Sequence, residues 1–282
     1  MNQISFNRYL TKYSDKIING KEISEFIAFE LKREIEEKTL DLNLATVLAG
    51  DNIASKTYIK LKNDFATKIG VGFNSYFLKD DETEDGLIST IDFLSGDNEI
   101  DGIIIQLPLP KNFNTEKVLS HINPQKDVDG FLKDSSFNPV MSEVILRLLK
   151  EIQESFEDKV LTIISNSDVF GNKLSDIFSS KFSNLKIHKH IYSEKDIENI
   201  KNDCKKSDFI ISIVGKKHFI TNDFIKKDVV IFDAGITKEE NETYGDAYFD
   251  DVIDDVKFIT PPINGIGPMT VAMLFNNLIK TK

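Results

Sequence analysis

The chain has 282 residues, 40% of them hydrophobic, enough for two domains with sizeable cores. Its formal net charge of −11 argues against the basic stripe of a nucleic-acid-binding surface, and its single cysteine, Cys204, excludes an internal disulfide and a cysteine-cluster zinc site. No apolar run approaches the ~20 residues needed to span a bilayer, and the N-terminus has no basic region followed by an apolar core, so a cytoplasmic protein with no membrane partner is expected.

Along the chain, strand and helix patterns alternate. Leu44 to Ala49 reads as a strand, Gly50-Asp51-Asn52 as a turn with helix-capping residues, and Ala54 to Lys68 as a helix that Gly70 stops. Gly102 to Ile105 is a short continuous apolar run, the pattern of a parallel strand covered on both faces, and Gln106 falls where it ends. Leu107-Pro108-Leu109-Pro110 is expected to hold the chain extended, because each proline fixes its own φ and moves its predecessor out of the helical region. A short helix around Asn114 to His121 follows, with Asn114 as a cap and Glu116 near its positive end. A long apolar-periodic helix begins at Met141. Beyond it, Val160 to Ile164, Phe209 to Val214, Val229 to Phe232 and Phe258 to Ile259 are apolar runs separated by helical or loop segments. Met269 to Leu278 reads as a last helix that returns to the first domain. The fold class is therefore α/β with two domains. An N-terminal α/β domain, 1–138, is joined by the helix of 267–282, and a Rossmann-like, doubly wound nucleotide-binding domain spans 139–266.

Ligands of open α/β sheets gather at the carboxyl ends of the strands, which directs attention to Gln106 and to Asp127 and Asp129 one helix later. Tyr58 and Lys62 are four apart on a predicted helix, one above the other. Ala54, Tyr58, Leu61 and Phe65 form its apolar stripe, which puts Tyr58 on the buried side and Lys62 at the margin, where desolvation lowers a lysine pKa and equips it for proton transfer. Spacing alone equally fits an amphipathic helix with Lys56, Lys60 and Lys62 in water, a strand-end glutamine bonded to backbone, and aspartates that only form turns.

Taken together, the strings GDNIASKTYIKLKNDFATKIGV, IIIQLPLPKNFNTEKVLSHINPQKDVDGF, SIVGKKHFI, FDAGIT and ITPPINGIGPMTVAML resemble, in this order, the bifunctional methylenetetrahydrofolate dehydrogenase/methenyltetrahydrofolate cyclohydrolase family. The resemblance implies hydride transfer from methylenetetrahydrofolate to NADP, with NAD as a possible substitute, then hydrolysis of the methenyl product to formyltetrahydrofolate. That chemistry belongs to one-carbon metabolism and feeds purine biosynthesis. It implies Lys62 as the proton-transfer residue, Tyr58 as the group that orients the folate, Gln106 as the group that holds and tunes the lysine, and Asp129 as the partner of the pterin-like ring. Folate contacts are implied for Tyr58, Ile105, Gln106, Leu107, Pro108, Asp129, Ile263, Gly265, Gly267, Pro268 and Thr270. Cofactor contacts are implied for Ser165, Asn166, Ser167, Gly171, Ser193, Gly215 and Ile236. No metal is implied, and a homodimer is. His121, His188, His190 and His218 match no catalytic position.

The chain departs from that pattern at the cofactor turn. Ser165-Asn166-Ser167 stands where the family has Gly-Arg-Ser, and Ile263-Asn264-Gly265-Ile266 where it has Pro-Gly-Gly-Val. The arginines are Arg8, Arg33 and Arg147, and none follows residue 147. An extra phosphate on the nucleotide must then be met by backbone N–H groups, Ser167, Ser193 or a lysine such as Lys195. Three readings compete: the bifunctional enzyme, a cyclohydrolase with weak or lost dehydrogenase activity, and a non-catalytic folate- or nucleotide-binding protein. Retention of Tyr58, Lys62, Gln106 and Asp129 counts against the third.

Overall fold

The computed structural model describes residues 1–79, 82–166, 168–191, 193–240 and 242–282. In chain order its elements are α1 (Gln3–Lys12), α2 (Gly20–Lys38), β1 (Asn43–Ala49), α3 (Ile53–Ile69), β2 (Gly72–Leu78), α4 (Glu84–Gly96), β3 (Gly102–Ile105) and α5 (Thr115–Leu119). They continue with α6 (Val140–Glu151), β4 (Val160–Ser165), α7 (Asp168–Phe178), β5 (Asn184–Lys189), α8 (Glu194–Cys204) and β6 (Phe209–Ile213). The last are β7 (Val229–Asp233), β8 (Thr237–Glu239), β9 (Glu242–Tyr244), α9 (Phe249–Val252), β10 (Val256–Ile259) and α10 (Ile266–Ile279). Among the described residues, no helix is long and apolar enough to cross a membrane.

The chain divides into two compact units. One comprises Ser24–Val140 and Thr270–Lys282. Its sheet has the order β2-β1-β3, with both pairings parallel. Residues 44–49 of β1 and all of β3 are buried, as expected of strands covered on both faces. Ala45, Val47, Ile103 and Ile105 pack with Leu87, Ile91 and Leu94 of α4 in one cluster. Ile103 also bridges Asp127 in parallel, and its N–H donates to Lys126 O at 2.8 Å. The segment leading to Asp129 therefore runs beside β3 in the same direction. From α10, Phe275 stacks on Phe65, and Asn277 Nδ2 donates to Val128 O at 3.0 Å and to Asn138 O at 3.2 Å. Gly102 admits this helix: a Cβ there would lie 2.7 Å from Leu278 Cδ1 and 2.9 Å from Val128 Cγ1.

The other unit comprises Met1–Ile23 and Met141–Met269. Its sheet has the order β10-β7-β6-β4-β5, all parallel, with a small antiparallel β8–β9 hairpin beside it. Sequential strands leave β4 on opposite sides, β5 on one and β6 on the other. That reversal makes the β4/β6 edge the switch point where a doubly wound sheet opens a crevice.

The observed division differs from the expected one chiefly in that residues 1–23 pack with the second unit, and its other boundaries fall after Val140 and Met269, two to three residues beyond those expected. Phe6 and Ile17 enter its core cluster with Phe249, Val252 and Ile259, and Ile18 N–H donates to Ile259 O at 2.9 Å. The β2 and β5 strands gave no signal because both are partly exposed along their length with polar residues interleaved, whereas the apolar runs mark strands with buried residues, including the edge strand β3.

Candidate active site

In α3, Asn52 is the cap, its side chain accepting from Ser55 N–H at 3.0 Å, and Gly70 closes the helix in the left-handed conformation with its N–H on Ala66 O. The buried row differs from the expected stripe. Ser55, Ile59, Ala66 and Ile69 face inward, while Leu61 is 51% exposed. Lys62 lies in register with that inward row, and both it and Tyr58 are half-buried. The lysine is thus more embedded than a margin position implied. The Ala54 side chain lies outside what the structure describes.

Beside α3 stands the end of β3. Gln106 N–H donates to Val47 O at 2.9 Å, continuing the sheet by one residue. Its side-chain Nε2 donates to Leu107 O at 2.8 Å, which fixes the amide with its oxygen turned outward. That oxygen accepts from Lys62 Nζ at 3.0 Å. The segment after Gln106 is bent rather than extended, with a cis Leu107–Pro108 peptide bond. Ile105 is buried within the core cluster, so its side chain serves packing, and Pro108 is exposed.

The third element is the Lys126 to Gly130 turn. Asp127 is fully buried and is the turn former: its Oδ2 accepts from Leu132 N–H at 2.8 Å, and its carbonyl accepts from Gly130 N–H at 3.0 Å and Ser135 Oγ at 3.1 Å. Gly130 has φ +72, and a Cβ there would lie 2.6 Å from the Asn138 carbonyl and Pro139 N, so only glycine fits. With Asp129 O accepting from Val140 N–H at 3.1 Å, this holds the Asp129 backbone from both sides. Among the described residues, none donates a hydrogen bond to the Asp129 carboxylate.

Electrostatics couple the two charged groups. Burial pulls the Lys62 pKa below the usual lysine range, with Asp129 opposing. Burial pushes the Asp129 carboxyl up to about 6, with Lys62 opposing and Asp127 adding to the rise. Burial also raises the Tyr58 hydroxyl. The partner of Lys62 is a neutral amide, which fixes the amine without the full charge stabilisation a carboxylate would give. Lys62, Gln106 and Asp129, singled out from sequence, thus interact around the carboxyl end of β3, and Tyr58 stands one turn before Lys62 on α3.

In the second unit, Ser165 ends β4 and is buried, and Asn166 follows it at the switch point. The Asn166 amide donates from Nδ2 to Val214 O at 3.1 Å and accepts from Ile191 N–H at 3.4 Å. Ser167 lies outside the described residues. Gly171 serves helix-to-strand packing, since a Cβ there would lie 3.1 Å from Lys189 Cδ and 3.5 Å from Ser165 Cβ. Ser193 caps α8 in a reciprocal box: Asp196 N–H donates to Ser193 Oγ at 3.2 Å, while Ser193 N–H and Oγ donate to Asp196 Oδ2 at 2.8 Å. Gly215, at φ +72, has open space where a Cβ would stand, and Ile236 is 39% exposed. The switch-point crevice, the helix N-terminus after β4 and the uncovered Gly215 suit a nicotinamide nucleotide, with Gly215 allowing close backbone approach.

Before α10, Ile263 is half-buried, and Gly265 is enclosed, with Pro261 O 2.1 Å from where a Cβ would stand. Gly267, Pro268 and Thr270 follow in the first turns of α10, all half-buried. Sequence reasoning passed over Asp233 and Asp246 of FDAG and YGDA. Their only signal was that each aspartate is flanked closely by glycine.

A parallel-sheet nucleotide-binding unit joined to a second α/β unit with a desolvated lysine defines a two-domain α/β enzyme. Comparison with known proteins gives the family. Residues 18–129 match "Tetrahydrofolate dehydrogenase/cyclohydrolase, catalytic domain", and residues 139–282 match "Tetrahydrofolate dehydrogenase/cyclohydrolase, NAD(P)-binding domain". The chain belongs to the tetrahydrofolate dehydrogenase/cyclohydrolase family. It is 36% identical over 280 residues to the bifunctional protein FolD of Thermodesulfovibrio yellowstonii, covering 94% of this chain and 96% of that one. The FolD of Methanosarcina acetivorans is 33% identical over 283 residues, covering 95% and 96%. Among solved structures, the bifunctional FolD methylenetetrahydrofolate dehydrogenase/cyclohydrolase of Campylobacter jejuni superposes with a TM-score of 0.87 at 30% identity, covering 94% of this chain and 97% of that one.

Proposed function

We propose that this chain oxidises methylenetetrahydrofolate to methenyltetrahydrofolate with NADP, NAD serving as a second acceptor, and hydrolyses the product to formyltetrahydrofolate. The observation that carries this reading is the half-buried Lys62 amine bonded at 3.0 Å to the neutral Gln106 amide beside Asp129. The bound nucleotide supplies the hydride acceptor. Hydride loss leaves a methenyl cation, and burial, which disfavours the charged form of Lys62, lessens its repulsion of that cation. In the hydrolytic step Lys62 Nζ takes a proton from the attacking water, and Gln106 keeps the amine aimed. Tyr58 orients the folate, and the Asp129 carboxylate accepts from the donors of its amino-pyrimidine edge.

A second reading, cyclohydrolase with dehydrogenase activity weak or lost, draws on one observation. Asn166 stands where an arginine would meet the nucleotide's extra phosphate, and its amide is already bonded to Val214 O and Ile191 N–H. An absorbance assay separates the two. Methenyltetrahydrofolate formation from methylenetetrahydrofolate with NADP supports the first, and its absence with both NADP and NAD, while added methenyltetrahydrofolate still decays, supports the second. Loss of both activities overturns both readings. The enzyme is further read as a cytoplasmic homodimer, and a sedimentation profile of a 32.0 kDa monomer would count against the dimer.

A further inference from the structure

Asp246, following β9, is fully buried below the turn that ends β6. Its Oδ2 accepts from Val214 N–H and Ser212 Oγ, both at 2.7 Å, and its Oδ1 accepts from Lys216 N–H at 2.8 Å. The two backbone bonds straddle Gly215, the left-handed residue with open space before it. Asp246 is held in turn by Asp233 at the end of β7. Asp233 Oδ1 accepts from Gly235 N–H at 3.0 Å and Asp246 N–H at 3.1 Å, and its Oδ2 from Ala247 N–H at 2.9 Å. Glycines permit this approach: a Cβ on Gly235 would stand 2.0 Å from Asp246 Cγ, and one on Gly245 would stand 2.1 Å from Asp233 Oδ2. Burial and the neighbouring Asp246 push the Asp233 carboxyl up to about 8. No lysine or arginine side chain is among the bonding partners these contacts supply. Two buried acids without a cationic partner are costly, and such an arrangement at the carboxyl edge of a nucleotide-binding sheet marks a site shaped for more than packing.

We propose that Asp246 is a positioning residue for the nicotinamide nucleotide: it fixes the Val214–Lys216 turn so that the uncovered Gly215 backbone meets the cofactor. The proposal rests on the reading that this unit binds such a nucleotide. Asp246→Asn keeps the shape but turns an N–H₂ toward either Val214 N–H or Lys216 N–H, so one backbone bond is lost to a donor–donor contact.

The test measures nucleotide binding by calorimetry without folate, the dehydrogenase KM and kcat, and cyclohydrolase turnover, which needs no nucleotide. For a folded Asp246→Asn, the expected result is a nucleotide Kd raised about ten- to a hundredfold, as for a lost charge-assisted bond, with KM rising in parallel and cyclohydrolase turnover unchanged. Ser212→Ala removes only the hydroxyl donor, and a smaller rise in Kd with cyclohydrolase intact is expected even if Asp246→Asn fails to fold. Unchanged nucleotide affinity in a folded variant, or a parallel fall in cyclohydrolase turnover, overturns the proposal and makes Asp246 a structural pin. A wild-type chain that binds no nucleotide overturns the dehydrogenase reading and this one with it; wild-type binding that survives in both variants overturns this one alone.

Discussion

Lys62 owes its chemistry to two features that act in the same direction: its register with the inward row of α3 lowers its pKa, and Gln106 holds the amine without adding charge. Lys62→Met, of similar length but without the amine, is expected to keep the fold and reduce cyclohydrolase turnover by ~10²–10⁴, the usual loss with a general acid/base. Undiminished opening of methenyltetrahydrofolate by the variant would make Lys62 a bystander. Gln106→Glu places a carboxylate on the same amine, which favours the ammonium form, so the acidic limb of the cyclohydrolase pH profile, set by deprotonation of Lys62, should move to higher pH. A profile that stays in place would mean that Lys62 is not the titrating base. Asp129 gives a stability signature. Its folded pKa of about 6 exceeds an unfolded value of about 3.9, so the folded state binds more protons between these limits and its contribution to stability is lost as pH rises through that window. Asp129→Asn should therefore flatten the fall in denaturation midpoint between pH 4.5 and 7, and an unaltered slope would assign it to other groups.

The elements around the site were legible to differing degrees. The α3 helix could be read from Asn52, its apolar periodicity and Gly70, because capping is local chemistry written in neighbouring residues. Its inward face was less legible, since Tyr58, Leu61 and Phe65 look apolar while Ser55 is the residue that is buried, and which face turns in depends on what packs there. The KDVDGF turn shows the same division. Its aspartates announce a turn, but that Asp127 forms it while Asp129 faces Lys62 follows from the parallel bridge of Asp127 to Ile103. Gly130 is the element's rigid point. Gly130→Ala should cost about 1–3 kcal/mol from its backbone conformation alone, with more from the 2.6 Å approach to Asn138 and Pro139. Urea denaturation measures this, and a variant of wild-type stability would show that the loop relaxes freely. The resemblance implies a cofactor contact for Ser193, whose hydroxyl also caps α8.

For the molecule as a whole, the open question of selectivity lies at the β4/β6 switch point. Asn166, bonded to Val214 O and Ile191 N–H, offers no bidentate clamp to the extra phosphate of NADP, and no arginine follows residue 147. NADP should be preferred over NAD by no more than about tenfold, roughly 1.4 kcal/mol, and Asn166→Arg should raise that preference. Steady-state rates with each nucleotide at matched folate decide it; a preference of several hundredfold would show that lysines or backbone groups replace the arginine fully. Composition and the alternation of apolar runs were enough to specify an α/β chain of two units, because strand burial and helix caps are local or periodic properties, whereas Lys62, Gln106 and Asp129 were singled out by the resemblance that the order of the motifs carries. Folding alone decided that residues 1–23 join the nucleotide-binding unit, that Lys62 sits within a buried row, and that Asp233 and Asp246 stand under the Gly215 turn. Each of these depends on contacts between residues far apart in the chain, and no local pattern encodes which distant surface a segment will meet.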